Sequence, residues 1–430
     1  MPEGTTPPES SHVGKYERIA SEPENPFASL IPEQEIAVIP SFTLESGVTL
    51  HNVPVAYTTR GQLSPNRDNA MVICHALTGS SDVADWDDVN LHKLILDDLG
   101  VRQVAAVIGG SLGGMFVLEW AYLGKEYIRS VVPIATSSRH SAWCISWGEA
   151  QRQSIYADPK YDDGYYPFDD PPSTGLGAAR MAALLTYRSR NSFESRFGRN
   201  IPDPSKRQTI RELPQPSTPS ETHFHIHNDG HKIRPPPAPP AARVAVAATV
   251  PGKQEQQQEQ QQQQLPLQNS QLQRTRSSTG PRRNRLPGES MPSSTYFSAQ
   301  SYLRYQGQKF VKRFDSNCYI AMTRKLDTHD VSRGRADTVA EALAMIEQPT
   351  LVLGIESDGL FTFAEQEELA EHIKNARLER IVNNYILEFL KEALPDIMER
   401  EGEAVVDASV GELTKSSTFG EAEVGDLTAW

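Results

Sequence analysis

A serine flanked by glycines, Gly109-Gly110-Ser111-Leu112-Gly113, is the first group in this sequence that could do chemistry. The apolar run VRQVAAVIGG ends at it, and the apolar helical pattern MFVLEWAYLG follows it. A serine at a strand-to-helix turn has its hydroxyl exposed, and the N-terminus of the next helix favours developing negative charge. The pattern therefore predicts that Ser111 is a nucleophile. A phosphate-binding loop, the alternative, would have a lysine near the helix start, and GGSLGGMF has none.

Acyl transfer through a serine also needs two N–H donors for the oxyanion. The backbone N–H of Leu112, the residue after the serine, is the first candidate. The second should come from the loop after an earlier strand, which is HALTGS and points to the N–H of Leu77. His75 and Thr78 of this loop have turn formation and strand capping as their alternative role.

A carboxylate should follow the nucleophile in sequence, at the end of a late strand. The run PTLVLGIESD places Asp358 there, with Glu356 as a substitute. The structural alternative for Asp358 is an N-cap for the helix that begins near Phe363. The base should be a histidine after the acid, but no histidine follows His372, which lies in the helical pattern EELAEHIKNA. We therefore identify no catalytic histidine, and His75 would need a different geometry to replace it.

The elements around these residues alternate between strand and helix. EIAVIPSFTLESGVTLHNVPVAYTTRG has the alternation and turn signals of an antiparallel pair. AMVIC, beginning at Ala70, is a short unalternated run that predicts a strand covered on both faces. VNLHKLILDDLG predicts a helix, and IRSVVPIATS and PTLVLGIES predict further strands. This order favours an α/β fold with a mostly parallel central sheet.

Composition divides the chain into seven segments. Segment 201–293 contains IRPPPAPPAARVA, QEQQQEQQQQQLPLQ and RTRSSTGPRRNR, which cannot bury enough apolar surface to offset their ordering entropy. The predicted segments are a disordered leader (1–33), the first part of the core (34–140), the first part of a helical lid (141–200), a disordered low-complexity insertion (201–293), the second part of the lid (294–346), the last part of the core (347–397) and a flexible acidic tail (398–430).

The bulk properties favour a small-molecule function. The 430 residues include 42 Lys and Arg against 55 Asp and Glu, for a net charge of -13, which disfavours nucleic acid and membrane surfaces as partners. Five arginines between 274 and 285 lack the interleaved aromatic residues of an RNA-binding segment. The three cysteines form no metal or redox pair, and no secretory or membrane-spanning run occurs, so we expect a cytoplasmic protein.

The motifs HALTGS, GGSLGGM, HSAWCISWGEAQRQSIYADPKY, ARMAALLTYRSR and LVLGIESDGLF, in this order, resemble those of the homoserine O-acetyltransferases. The resemblance covers about residues 34–200 and 294–395. It implies an α/β-hydrolase fold with an inserted helical lid, and a serine that passes acetyl from acetyl-CoA to L-homoserine in methionine biosynthesis. Ser111 then matches the nucleophile, Asp358 the acid, and Arg180 of the ARM motif the arginine that holds the substrate carboxylate. Acetyl-CoA would be a co-substrate, with no bound cofactor or metal, and a homodimer is one assembly that the resemblance allows.

Two elements of the family pattern are missing. The family's Gly-His-Asp loop would stand between ARLERI and NNYILEFLKEAL, where the chain continues directly. Trp86 is followed at once by DDVNLHKLILDDLG, where the family carries several tens of residues, so we expect an incomplete sheet that lacks a strand next to the nucleophile strand. We predict little or no acyltransferase activity for this chain. The alternatives are a related serine O-acyltransferase, another acyl donor, an esterase, or a non-catalytic homologue or defective gene product.

Overall fold

The computed structural model describes most of the chain outside the low-complexity segment and the two ends. The described residues are 14–22, 25–31, 34–44, 46–78, 88–201, 218–220, 223, 227, 297–380 and 385–401. The chain forms two compact units, Met1–Arg207 with Ser298–Trp430, and Gln208–Phe297. In the second unit the rings of His223 and His227 lie 5.5 Å apart. The predicted disorder of 201–293 falls almost wholly outside the described residues.

Eight strands are described in the first unit, and they form two sheets. They are β1 (Glu17–Ile19), β2 (Glu35–Thr43), β3 (Thr49–Tyr57), β4 (Ala70–Cys74), β5 (Val104–Gly110), β6 (Val131–Ile134), β7 (Thr350–Gly354) and β8 (Ala376–Arg380). The first three make an antiparallel sheet in the order β1-β2-β3, which confirms the predicted antiparallel pair. The other five make a parallel sheet in the order β4-β5-β6-β7-β8.

Eleven α-helices are described around the sheets. They are α1 (Asp88–Asp98), α2 (Leu112–Ala121), α3 (Ala142–Tyr156), α4 (Ser173–Tyr187), α5 (Arg190–Phe197), α6 (Ser298–Phe310), α7 (Ser316–Asp327), α8 (Val339–Ala344), α9 (Phe363–His372), α10 (Tyr385–Ala393) and α11 (Pro395–Glu401). Helices α3 to α7 lie in the two stretches predicted as the lid, and α3 packs on α4 and α7 while α4 packs on α6.

The parallel sheet is covered by helices on two faces. On one face α1, α2, α8 and α9 bury a core that includes Val107, Trp120 and Val352. On the other face, Phe389 and Leu390 of α10 and Ile397 of α11 pack against the small side chains of β5 and the apolar side chains of β6 and β7. Because both faces of the sheet are covered, the sequences of β5 to β7 are continuous apolar runs and do not alternate between apolar and polar residues.

Strand β4 departs from the prediction that it is covered on both faces. Its side chains Met71 and Ile73 are 56% and 70% exposed, while Val72 and Cys74 pack into the α1/α2 core. Among the described residues, the apolar cluster that α10 and α11 form with the sheet includes side chains of β5 to β7 and none of β4. Among the described residues no strand pairs with the outer edge of β4.

The structure contradicts the predicted position of the gap in the sheet. The strand without an outer partner in the described residues is β4, one strand away from the nucleophile strand β5. We expected the gap next to the nucleophile strand, but β5 pairs with β4 on one side and β6 on the other. The prediction of a disordered leader through residue 33 is also wrong at β1, which pairs with β2. An ion pair between Arg18 and the buried carboxylate of Asp98 ties this strand to α1, a contact that a local pattern does not show.

Candidate active site

Ser111 lies where the sequence predicts it, at the turn between β5 and α2. Its backbone has φ 57° and ψ -124°, a combination that residues other than glycine rarely adopt. The N–H of Ser111 donates to the carbonyl of Ile134 at 3.0 Å, and the hydroxyl of Thr136 donates to the carbonyl of Ser111 at 2.8 Å. The backbone of Ile134 and the side chain of Thr136 therefore hold the strained turn in place.

Two glycines let this turn pack tightly against the end of β4. A Cβ on Gly113 would lie 2.2 Å from the carbonyl oxygen of Cys74 and 2.9 Å from that of His75. A Cβ on Gly109 would lie 2.4 Å from the carbonyl oxygen of Gly113. The G-x-S-x-G spacing is thus required by the close approach of three backbone segments.

The two predicted oxyanion donors lie on either side of this contact. Leu112 is the first residue of α2, where an N–H has no acceptor within the helix. Leu77 follows β4 and packs against the apolar cluster that contains Leu112, Met322 and Phe361. The fold thus brings Leu77 close to the start of α2, and the role of the two N–H groups as oxyanion donors stays a prediction.

Asp358 lies in the loop after β7, at the same carboxyl edge of the parallel sheet as Ser111. Its Oδ1 accepts the N–H groups of Leu360 at 2.8 Å and Phe361 at 3.1 Å. Burial raises the pKa of Asp358 above its ordinary value, and these two N–H groups oppose the rise. Its Oδ2 has no hydrogen-bond partner within the described part of the chain, so this oxygen is available to orient a base.

The contacts favour neither Glu356 as the acid nor an N-cap role for Asp358. Glu356 is exposed and pairs with Arg380 at 3.1 Å. The N-cap residue of α9 is Thr362, not Asp358, and its N–H donates to Glu365 at 2.6 Å. Asp358 therefore does not serve as the cap of this helix.

Arg180 lies on α4, in the first stretch predicted as the lid. The residue is only 4% exposed. Its guanidinium lies 4.9 Å from the ring centre of Phe310 and 5.6 Å from that of Tyr187. Ala179, its neighbour, shares a buried cluster with Phe310, and Leu77 of the predicted oxyanion loop packs on that cluster. The fold thus brings Arg180 towards the loop that carries Leu77.

A second arginine in this region escaped the sequence analysis. Arg313 is 6% exposed, lies 5.3 Å from the ring centre of Phe310 and donates from Nη1 to the carbonyl of Thr78 at 3.3 Å. The contact joins residues 235 positions apart. No local signal in the sequence could have shown it.

No histidine in the described ranges forms a hydrogen bond with Ser111 or Asp358. His75 bonds through Nδ1 to the carbonyl of Ala76 at 2.9 Å, and His372 is the last residue of α9. The segment 381–384, where the missing loop would be inserted, lies outside the described residues.

Two negative findings apply to the described part of the chain. It contains no group of three or more His, Cys, Asp or Glu side chains that could hold a metal ion. None of its helices is both long and apolar enough to cross a membrane.

Comparison with known proteins identifies close sequence relatives. A family model described as alpha/beta hydrolase fold matches residues 75–225. The homoserine O-acetyltransferase of Emericella nidulans is 54% identical, with 97% of this chain and 99% of that protein aligned. The Saccharomyces cerevisiae homoserine O-acetyltransferase is 47% identical, with 94% and 96% aligned. The Emericella alignment spans 498 positions against a chain of 430, so at least 68 of its positions have no counterpart here.

Solved structures agree on the fold. Esterase E22 superposes with a TM-score of 0.54 at 15% identity, over 85% of this chain and 100% of that one. A homoserine O-acetyltransferase from Bacillus anthracis superposes with a TM-score of 0.53 at 15% identity, over 85% and 94%. Together with the family model, these matches confirm the predicted α/β-hydrolase fold.

Proposed function

Since the chain belongs to the homoserine O-acetyltransferase family, we propose that its substrates are acetyl-CoA and L-homoserine and that Ser111 accepts the acetyl group. The observation that carries this proposal is the strained turn at Ser111, at the same sheet edge as the loop of Asp358. The product, O-acetyl-L-homoserine, belongs to methionine biosynthesis, so the partners are small molecules. The cytoplasm is the compartment that we propose.

The reaction has two acyl transfers. The Ser111 oxygen attacks the thioester carbon of acetyl-CoA, and the oxyanion formed accepts the N–H groups of Leu77 and Leu112. The C–S bond then breaks, CoA leaves as the thiol, and an acetyl ester remains on the serine. In the second transfer the hydroxyl of homoserine attacks this ester, and the serine leaves again as the alcohol.

We propose that Arg180 binds the carboxylate of homoserine. A guanidinium offers two parallel N–H groups that match a carboxylate, and its burial between Phe310 and Tyr187 limits its orientations. This site would bring the hydroxyl of the amino acid to the acetylated Ser111. The role predicts that Arg180→Lys weakens homoserine binding more than acetyl-CoA binding.

Both transfers move a proton from a hydroxyl, and this step has no assigned base. Asp358 has no histidine partner in the described ranges, and the alignment length supports a loss of segments relative to the family. Loss of a triad histidine lowers the rate by several powers of ten. A second candidate function follows from the same observation: a homologue that binds the substrates and barely turns them over.

Rescue by imidazole separates these two functions. Free imidazole can occupy the space of a missing histidine side chain and accept the serine proton. We expect O-acetylhomoserine formation, followed by mass spectrometry, to be very slow without imidazole and to rise at least about tenfold with it. Replacing homoserine with serine, or omitting the acceptor, tests the serine acyltransferase and esterase alternatives.

Ser111→Ala is the matched control, because imidazole also reacts slowly with acetyl-CoA in solution. The variant should show only this background, with or without homoserine. Rapid homoserine-dependent turnover without imidazole would refute the missing base. Homoserine binding measured by calorimetry, combined with no rescue, would favour the binding homologue, and absence of both would refute the proposed substrates.

A further inference from the structure

The loop after Asp358 is held from outside by the first turn of the lid helix α3. Trp143 donates from Nε1 to the carbonyl oxygen of Gly359 at 2.9 Å, and the thiol of Cys144 donates to that of Leu360 at 3.1 Å. Each contact joins residues 216 positions apart. We propose that Trp143 and Cys144 are positioning residues that set the orientation of the Asp358 carboxylate. This inference rests on the proposed function in taking Asp358 as the acid of the reaction.

Two peptide groups of the loop after Asp358 are held at both ends. The carbonyl of Gly359 and the N–H of Leu360 belong to one planar peptide group, as do the carbonyl of Leu360 and the N–H of Phe361. The two N–H groups donate to Oδ1 of Asp358. Each peptide plane is thus fixed at its oxygen by α3 and at its nitrogen by the carboxylate. Rotation of either plane would break both bonds together.

The two positioning residues differ in how far they are buried. Cys144 is 1% exposed and packs in the same apolar cluster as Leu112 and Phe361. Trp143 is 57% exposed, with its ring edge-on to Trp147 at 5.8 Å. An exposed tryptophan that donates to a loop carbonyl contributes little to the core, so the constraint on the loop is the main effect of its N–H. The cluster around Cys144 also connects the acid loop to the predicted oxyanion donor Leu112.

The test removes one donor at a time and measures the acid directly. Trp143→Phe keeps an aromatic ring and loses the N–H, and Trp147→Phe is its control, because Trp147 has no hydrogen-bond partner in the described part of the chain. Cys144→Ala removes the thiol donor, and Cys144→Ser restores a donor. Two readouts need no turnover: amide hydrogen exchange at Leu360 and Phe361, and the carboxyl carbon resonance of Asp358 titrated with pH.

We expect Trp143→Phe and Cys144→Ala to speed exchange at Leu360 and Phe361 about tenfold, since the coupled bonds weaken. The pKa of Asp358 should rise in the same variants, because N–H bonds to a carboxylate favour its charged form. Trp147→Phe and Cys144→Ser should leave both readouts near those of the parent.

Several results would overturn the inference. Unchanged exchange and an unchanged Asp358 pKa in both Trp143→Phe and Cys144→Ala would do so, even if the urea midpoint falls, because a purely structural role lowers stability alone. An equal change in Trp147→Phe would also overturn it. Failure of the imidazole rescue with these shifts present would instead count against the proposed function, and the positioning of Asp358 would stand.

Discussion

Replacing Gly113 with alanine tests whether close backbone packing builds the turn at Ser111. Two effects oppose each other at this position. Alanine favours a helix over glycine by up to about 1 kcal/mol, so helix propensity alone predicts a more stable protein. Packing predicts the opposite, because the new Cβ would lie 2.2 Å from the carbonyl oxygen of Cys74.

The size of the packing effect follows from that distance. Carbon-to-oxygen contacts are ordinarily about 3.3 Å or longer, so α2 and the end of β4 must separate by about 1 Å. The obstructing atoms are backbone atoms of Cys74 and His75, which cannot rotate away as a side chain can. Overpacking of this kind costs about 1–3 kcal/mol. Because backbone atoms obstruct the new Cβ, we take the upper end of this range, about 3 kcal/mol. After subtraction of the helix gain of up to about 1 kcal/mol, we expect Gly113→Ala to lower the free energy of unfolding by about 2 kcal/mol.

Gly110→Ala is the control, three residues earlier in the same motif. Its Cβ would lie 3.7 Å from the carbonyl oxygen of Ile134 and 3.9 Å from the Cβ of that residue, which is ordinary contact. We expect a change within about 0.5 kcal/mol. Urea titration followed by tryptophan fluorescence should show a midpoint about 0.7 M lower for Gly113→Ala, taking a slope of about 3 kcal/mol per M. A midpoint for Gly113→Ala equal to or above that of the parent would refute close packing as the reason for this glycine.

Three further predictions concern stability. Ile73→Thr should raise soluble yield and change the free energy of unfolding by less than about 0.5 kcal/mol, because the side chain is 70% exposed; Val72→Thr, on the covered face, should cost about 1–2 kcal/mol, and urea midpoints compare the two. Burial lowers the pKa of His140 to about 4 and that of His329 to about 3, so the unfolded state binds more protons below about pH 6.5. Stability should fall by up to about 1.4 kcal/mol per pH unit for each histidine on going from about pH 6.5 to about pH 4, and a flat profile in urea titrations would contradict this. Asp315→Ala removes the N-cap of α7, whose carboxylate accepts a backbone N–H at 2.9 Å, and should cost about 1–2 kcal/mol by thermal melting, with Asp315→Asn losing less.

The sequence predicted the turn at Ser111 and the loop position of Asp358 because both depend on local patterns. Apolar runs showed which segments are strands, and chain order showed which strand should precede each residue. Parallel strands share one carboxyl edge, so two residues that each follow such a strand fall on the same side of the sheet. The absence of a histidine after His372 also needed no structure.

Only the tertiary structure shows that one face of β4 is exposed. A short apolar run is the pattern of a strand covered on both faces, and Met71 and Ile73 fit it. In the described part of the chain, the cluster that α10 and α11 form with the sheet includes β5 to β7 and no side chain of β4, and the position of a distant helix is not encoded near residue 71. The same holds for β1, which pairs with β2 and is joined to α1 by the ion pair of Arg18 with Asp98 across 80 residues.

The sequence likewise could not predict the contacts that surround the candidate site. Arg313 reaches Thr78 across 235 residues, and Trp143 and Cys144 reach the loop of Asp358 across 216. Periodicity and motif spacing report which face of an element is apolar, whereas these hydrogen bonds depend on how the lid helices dock on the sheet edge. The sequence by itself therefore determined which residues could react, and the tertiary structure determined which side chains hold them in orientation, because docking brings together groups that are remote along the chain.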